Sequence, residues 1–402
     1  MAGSVHMRRV MSPCRSRRGI APAIWVLAVL AVVPPIACRR FPDARLTASA
    51  EEGKRIFRDD TFGDEQFWTD TLHMNEVVER ELRPLEALGL GLKVDLDRLN
   101  LLKFLIHNPF GTSGTRELLR QNAVVGVKAS FNKNGGIERL GITCALCHST
   151  VDNALLPGIG HRVDGWPNRD LNVGKIIAMG RGLTPQQIAV YRSWGPGKYD
   201  PRFNIDGKST PLVLPPAYGL AAVKNETFTA EGPISYWNAY VAVTQMHGHG
   251  NFSDPRLGIN IVQTPDMVTP KLAALREYQH SLLTPSAPVN PAMIVSPGSA
   301  ARGRLVFNTN CARCHIDGNL TDNNTGVLHA PSETGMDGAY AARTTVKMYR
   351  TTPLRGLWQH APYFHDGSAK TLDDVVNHYN RVRNLNLTGG QKDDLVNYLK
   401  SL

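Results

Sequence analysis

The chain has 402 residues, 42% of them hydrophobic and 20% charged, enough apolar material for two or three packed domains. Its formal net charge is +10, but residues 1–37 hold five arginines and no acid, which leaves +5 for the remainder. The basic residues of that remainder are scattered rather than clustered with aromatics, so there is no nucleic-acid footprint.

The N-terminus reads as a targeting segment. Arg8, Arg9, Arg15, Arg17 and Arg18 precede an apolar run at 20–33, the n-region and h-region of a secretory signal. The run is too short and too Pro-interrupted for a membrane span. Ala37-Cys38 resembles a bacterial lipoprotein cleavage site, although Pro35 stands where that pattern prefers a branched apolar residue. Two outcomes stay open, a lipid anchor at Cys38 or cleavage nearby and plain secretion. Either gives a signal peptide over 1–37 and a periplasmic or cell-envelope location.

Residues 47–143 read as helical. The stretch 50–57 has Gly53 at its fourth place and Phe57 at its eighth, and 300–307 repeats this with Gly303 and Phe307. Leu72, Val77, Val78, Leu82, Leu85 and Leu88 have amphipathic helix spacing, and the run 96–106 continues the pattern before Asn108-Pro109 stops it. A helical insertion at about 58–143 is therefore expected, with a turn at Asn132-Lys133-Asn134-Gly135-Gly136.

Cys144-Ala-Leu-Cys147-His148 follows, and Cys311-Ala-Arg-Cys314-His315 repeats it. Cys-x-x-Cys-His is the attachment signature of a c-type haem. Two thiols add across the vinyl groups, and the next residue, an imidazole, is held under the iron as proximal ligand. The other two of six cysteines, Cys14 and Cys38, lie in or at the end of the leader. A zinc site built from both pairs would leave His148 and His315 unexplained. Two covalently bound haem c groups are expected, and export agrees with them, because such haem is attached outside the bacterial cytoplasm.

Beyond His148 the chain turns Gly- and Pro-rich, as loops wrapped around a large prosthetic group would be. His161, on the stretch that runs to Trp166 and Asn168, is the candidate distal, catalytic group of the first haem, either ligating the iron or standing off it to shuttle protons, against the plain alternative of a solvated loop histidine, with Met246, His247 and His249 as competitors. Residues 236–246 read as a helix with an aromatic face, and 284–297 as a Pro-rich linker. The domains expected are 38–290, the N-terminal haem domain with its insertion, and 291–402, a C-terminal cytochrome c domain. Helices are expected at about 299–308, from the capping-box-like Thr371 to about Arg383, and from Thr388 to the end. The last should cross over Gly303 and Phe307, because Gly303 lets a neighbouring helix come close.

The stretch from Pro353 through Ala361-Pro362-Tyr363-Phe364-His365-Asp366-Gly367 to His378-Tyr379 resembles the C-terminal haem domain of the bacterial dihaem cytochrome c peroxidase and MauG family. Residues 50–60 and 141–170 are similar to its N-terminal part. The resemblance implies a mainly α fold of two cytochrome c-like haem domains with long loops and the helical insertion. It also implies an oxidoreductase, peroxidase-like or MauG-like, with one reactive haem and one electron-transfer haem. Its partners would be a redox protein or a small oxidant such as peroxide. The alternative is a non-catalytic dihaem electron carrier. By register Tyr379 stands where the family takes the sixth ligand of its C-terminal haem, with the adjacent His378 and Met348 as rivals. His365 is expected either near a haem propionate or as a turn histidine. The acid that the peroxidases use beside their open haem has no evident counterpart.

Overall fold

The computed structural model describes residues 46–284 and 296–402, apart from Asp317. The expected signal peptide, Cys38 and the centre of the linker lie outside the described residues. The expected mainly α architecture is present. The strands are short and pair only two by two.

Thr47 caps α1 (Ala48–Asp59), accepting from the Ala50 amide. A π-type turn (Gln66–Thr71) leads to α2 (Met74–Glu81), α3 (Pro84–Gly89), α4 (Leu101–Ile106) and α5 (Thr112–Arg120). Leu72, Val77, Val78 and Leu82 are buried as their spacing implies, whereas Leu85 and much of α4 face solvent. The insertion closes with a hairpin, β2 (Val127–Phe131) against β3 (Ile137–Ile142), turned at the Asn132–Gly136 stretch. β1 (Val94–Asp95) runs parallel to β5 (Ile159–Gly160), and β4 (Ser149–Val151) pairs antiparallel with β6 (Arg162–Asp164). Between β3 and β4 the first Cys-x-x-Cys-His run forms α6 (Ala145–His148).

The loop-rich part holds short α7 (Val173–Ile177), α8 (Pro185–Ser193) and α9 (Phe203–Asp206), with β7 (Lys198–Tyr199) on β8 (Leu212–Val213) and β9 (Phe252–Asp254) on β10 (Ile259–Ile261). The expected aromatic helix is α10 (Ile234–Tyr240), continued by a π-type turn over Val241–Gln245. Next comes α11 (Leu272–Ser281). The C-terminal part comprises α12 (Pro297–Asn310), α13 (Pro331–Thr334), α14 (Leu372–Val382) and α15 (Gly389–Lys400). Both expected capping boxes are present, Thr371 with Asp374 and Thr388 with Gln391.

Two helix crossings organise the molecule, and they are alike. α1 meets α11 at Gly53, where a Cβ would stand 1.9 Å from the carbonyl oxygen of Ala274 and 2.7 Å from the Tyr278 Cβ. α12 meets α15 at Gly303, where a Cβ would stand 1.9 Å from the carbonyl oxygen of Asp394 and 2.9 Å from the Tyr398 Cβ. Phe57 packs on Tyr278 with ring centroids 5.5 Å apart, and Phe307 on Tyr398 at 5.1 Å. The final helix thus crosses Gly303 and Phe307 as expected. Three apolar cores follow: one under the insertion around Leu72, Leu118 and Leu171, one at the α1–α11 crossing, and one at the α12–α15 crossing. Residues 44–402 form one compact unit.

Candidate haem-binding cavity

Both Cys-x-x-Cys-His runs open on one cavity of about 580 Å³. Cys144, Cys147, His148, Cys311, Cys314 and His315 all line it. The four cysteines are free thiols, and burial pushes Cys144 and Cys147 up to about 12 and Cys311 to about 11. Those three are neutral thiols, and all four sulfurs face a largely apolar space.

The histidines are held in matching ways. His148 Nδ1 lies 3.1 Å from the carbonyl oxygen of Pro215, and His315 Nδ1 lies 2.9 Å from that of Leu320. A carbonyl can only accept, so Nδ1 carries the proton in each ring and Nε2 keeps its lone pair. Burial also pushes both imidazoles below their ordinary value, which keeps them neutral. Two thiols, one neutral imidazole with an open Nε2 and an apolar cavity are the donor set a covalent haem needs, and they occur twice. Among the described residues, the only other metal-like grouping is Cys314 with Asp322 and His329. There both His329 nitrogens already meet carboxylates, Asp322 and Glu333, each at 2.9 Å.

Of the rival sixth ligands, α14 brings Tyr379 to the cavity and turns His378 away. Burial pushes Tyr379 up to about 12, with the Cys311 and Cys314 sulfurs contributing. His378 Nε2 instead lies 2.9 Å from the Thr334 carbonyl oxygen, and its ring packs on Phe364. Met348 is 40% exposed and does not reach the cavity. His365 does line it, beside Tyr349 at a ring-centroid distance of 4.6 Å.

His161 is not brought to the first motif, which corrects the expected distal role. It sits between β5 and β6, where strand alternation turns the neighbouring Arg162 inward and His161 outward. Its ring nitrogen Nδ1 lies 2.8 Å from Asp97 Oδ1, outside the cavity. His247 stacks on Phe67, and His249 lines a separate shallow pocket. Met246 is the competitor that reaches the cavity, and it shares an apolar core with Cys144. Beside it Gln245 accepts from the Tyr199 hydroxyl at 2.8 Å.

Glu226 is the one carboxylate that lines the cavity among the described residues. The Ile234 amide donates to its Oε2, and Oε1 lies 2.5 Å from His280 Nε2 and 3.4 Å from Arg276 Nη2. Nothing in the local pattern around Lys224-Asn225 marks Glu226 in the sequence, because it stands alone in a loop.

Residues 348–385 match the family described as RoxA-like, cytochrome c-like. The chain is 29% identical over 152 residues to the methylamine utilization protein MauG of Methylophilus methylotrophus, covering 32% of this chain and 45% of that protein. It is 23% identical over 266 residues to the MauG of Methylorubrum extorquens, covering 62% of this chain and 64% of the relative. It is also 28% identical over 165 residues to the hydrazine synthase subunit gamma of Kuenenia stuttgartiensis, covering 39% of this chain and 40% of that one. The chain thus covers less than two thirds of the length of each. The cytochrome c-like match over 348–385 and the two MauG relatives make this chain similar to the haem c proteins of the MauG and dihaem cytochrome c peroxidase family.

Proposed function

We propose that the chain is an exported dihaem c-type cytochrome that works as an oxidoreductase, peroxidase-like or MauG-like. The Cys144–His148 motif would carry the reactive haem and the Cys311–His315 motif the electron-transfer haem. The observation that carries this is the inequality of the two ends of one cavity. Beside Cys311 and Cys314 a helix presents Tyr379, a residue able to close a sixth position. Near Cys144 and Cys147 the cavity is lined by the amide Gln245, the hydroxyl of Tyr199 and the thioether of Met246.

A bound haem supplies one-electron chemistry and, where its sixth position is open, a place for a small oxidant such as peroxide. The chain's own residues supply the rest. Glu226 lines the cavity and its Oε1 meets His280 Nε2 at 2.5 Å, so the pair links the cavity to the partly exposed His280. The apolar lining excludes bulk water. The redox partner, an acyl group on Cys38 and a periplasmic location belong to the same reading.

The alternative, a non-catalytic dihaem electron carrier, has one observation in its favour. Met246 is buried, lines the cavity and could close the first haem. An EPR spectrum of the oxidised holoprotein separates the two readings. The enzyme reading expects one high-spin ferric haem that responds to cyanide, and one low-spin haem that does not. Two low-spin haems indifferent to cyanide and carbon monoxide would establish the carrier. Pyridine haemochrome analysis should give two haems per chain, and Cys38→Ser should move the protein off membranes if that cysteine is acylated.

A further inference from the structure

Two arginines line the cavity with buried guanidinium nitrogens that meet no acceptor. Arg169 leaves both Nε and Nη1 without a partner, and Arg350 leaves Nε. Arg350 Nη1 donates to the Asn225 carbonyl. Elsewhere buried guanidinium groups have carboxylates: Arg202 meets Glu231, and Arg343 meets Asp200. Glu226 does not serve Arg350 in this way, because its oxygens are taken by the Ile234 amide, His280 and Arg276. Burial pushes Arg169 and Arg350 down to about 10. A desolvated cation facing an apolar cavity is unfavourable unless an anion enters with the cavity's occupant.

The two arginines are also crossed in the chain. Arg169 follows the first motif yet lies beside Tyr363 and His360, which follow the second. Arg350 follows the second motif yet donates to the carbonyl of Asn225, which follows the first. We propose that Arg169 and Arg350 are the anion anchors of this cavity, each holding a propionate carboxylate of a bound haem in the two-pronged geometry a guanidinium offers. The inference rests on the two-haem reading. A cation at a propionate favours the reduced haem, so each anchor raises the potential of the haem it touches.

The test uses the full-length holoprotein with Arg169→Leu, Arg169→Lys and Arg350→Leu. Resonance Raman reads the propionate-bending bands, spectroelectrochemistry reads the midpoint potentials, and haem is counted on the same samples. Each Leu variant should shift the propionate bands of one haem and lower its potential. Arg169→Lys keeps the charge and loses the fork, so its bands should shift with a smaller fall in potential. Unchanged bands and potentials at full haem content would overturn the proposal. If a Leu variant fails to load haem, Arg169→Lys decides, because unchanged bands there tell equally against the anchor. A wild-type count of one haem would sink the two-haem reading alone, and the bands of that haem would still decide for the arginine beside it.

Discussion

Tyr379 and His378 are neighbours on α14, and adjacent helical residues point about 100° apart. Only Tyr379 reaches the cavity. On the proposed two-haem reading, Tyr379→Phe should therefore shift the optical spectrum of the ligand-insensitive haem, while His378→Ala leaves both haem spectra in place. The reverse result would move the ligand to His378. His161→Ala should likewise leave the spectra unchanged, since its ring pairs with Asp97 outside the cavity. Asp64 gives a pH prediction. It is fully buried, and burial pushes its carboxyl up to about 9. In the unfolded chain it titrates near about 4. Between those values the folded state holds a proton that the unfolded state has lost, so stability falls as pH rises through this window. Asp64→Asn keeps an acceptor for the Ile142 amide and removes the proton. Thermal melts should show its advantage over wild type growing from pH 5 to pH 9, and a constant difference would refute the assignment. At this scale the two attachment motifs were legible because thioether and proximal ligand are sequence neighbours. Pro215, which fixes the His148 tautomer from 67 residues away, was not.

The helix crossings argue at the next scale. At Gly53 and at Gly303 an added methyl would meet backbone oxygen at 1.9 Å, a contact that no rotamer change relieves. Gly53→Ala and Gly303→Ala should each cost roughly 3 kcal/mol, the upper end of the range for overpacking. Denaturant unfolding followed by circular dichroism measures this, and a loss under about 1 kcal/mol would mean the helices can slide apart. The echo of Gly53 and Phe57 in Gly303 and Phe307 was visible in the sequence, as was the crossing of α15. The matching role of α11 was missed, although Leu275, Tyr278, Ser281 and Leu282 repeat the spacing of Leu395, Tyr398, Ser401 and Leu402. Apolar spacing alone does not say what a helix packs against, and on that ground α4 looked like core yet buries none of its residues. The hairpin at 127–142 was legible only as its Gly135-Gly136 turn.

At the scale of the molecule, the N- and C-terminal parts are held together by buried charge as well as by any shared cofactor cavity. Arg343 reaches back to Asp200 at 2.8 and 3.1 Å and to Asp206 at 2.8 and 2.9 Å, and its carbonyl accepts from Arg202. None of this was readable beforehand, because the partners lie 143 residues apart and each looks like an ordinary surface charge in its own loop. Removing one partner of a buried pair leaves the other charged and without a counter-ion, which costs about 3–5 kcal/mol. Arg343→Met should therefore destabilise the protein by that amount, since the Asp200 side chain is 0% exposed. It should also loosen the coupling between the parts, so that calorimetry resolves two transitions where the wild type gives one. Adding Asp200→Asn removes the stranded charge and should recover a large share of the loss, a non-additivity that a double-mutant cycle reads directly. If the two changes simply add, the pair contributes no coupling and the C-terminal part is joined to the rest by its other contacts, such as the Arg350–Asn225 hydrogen bond.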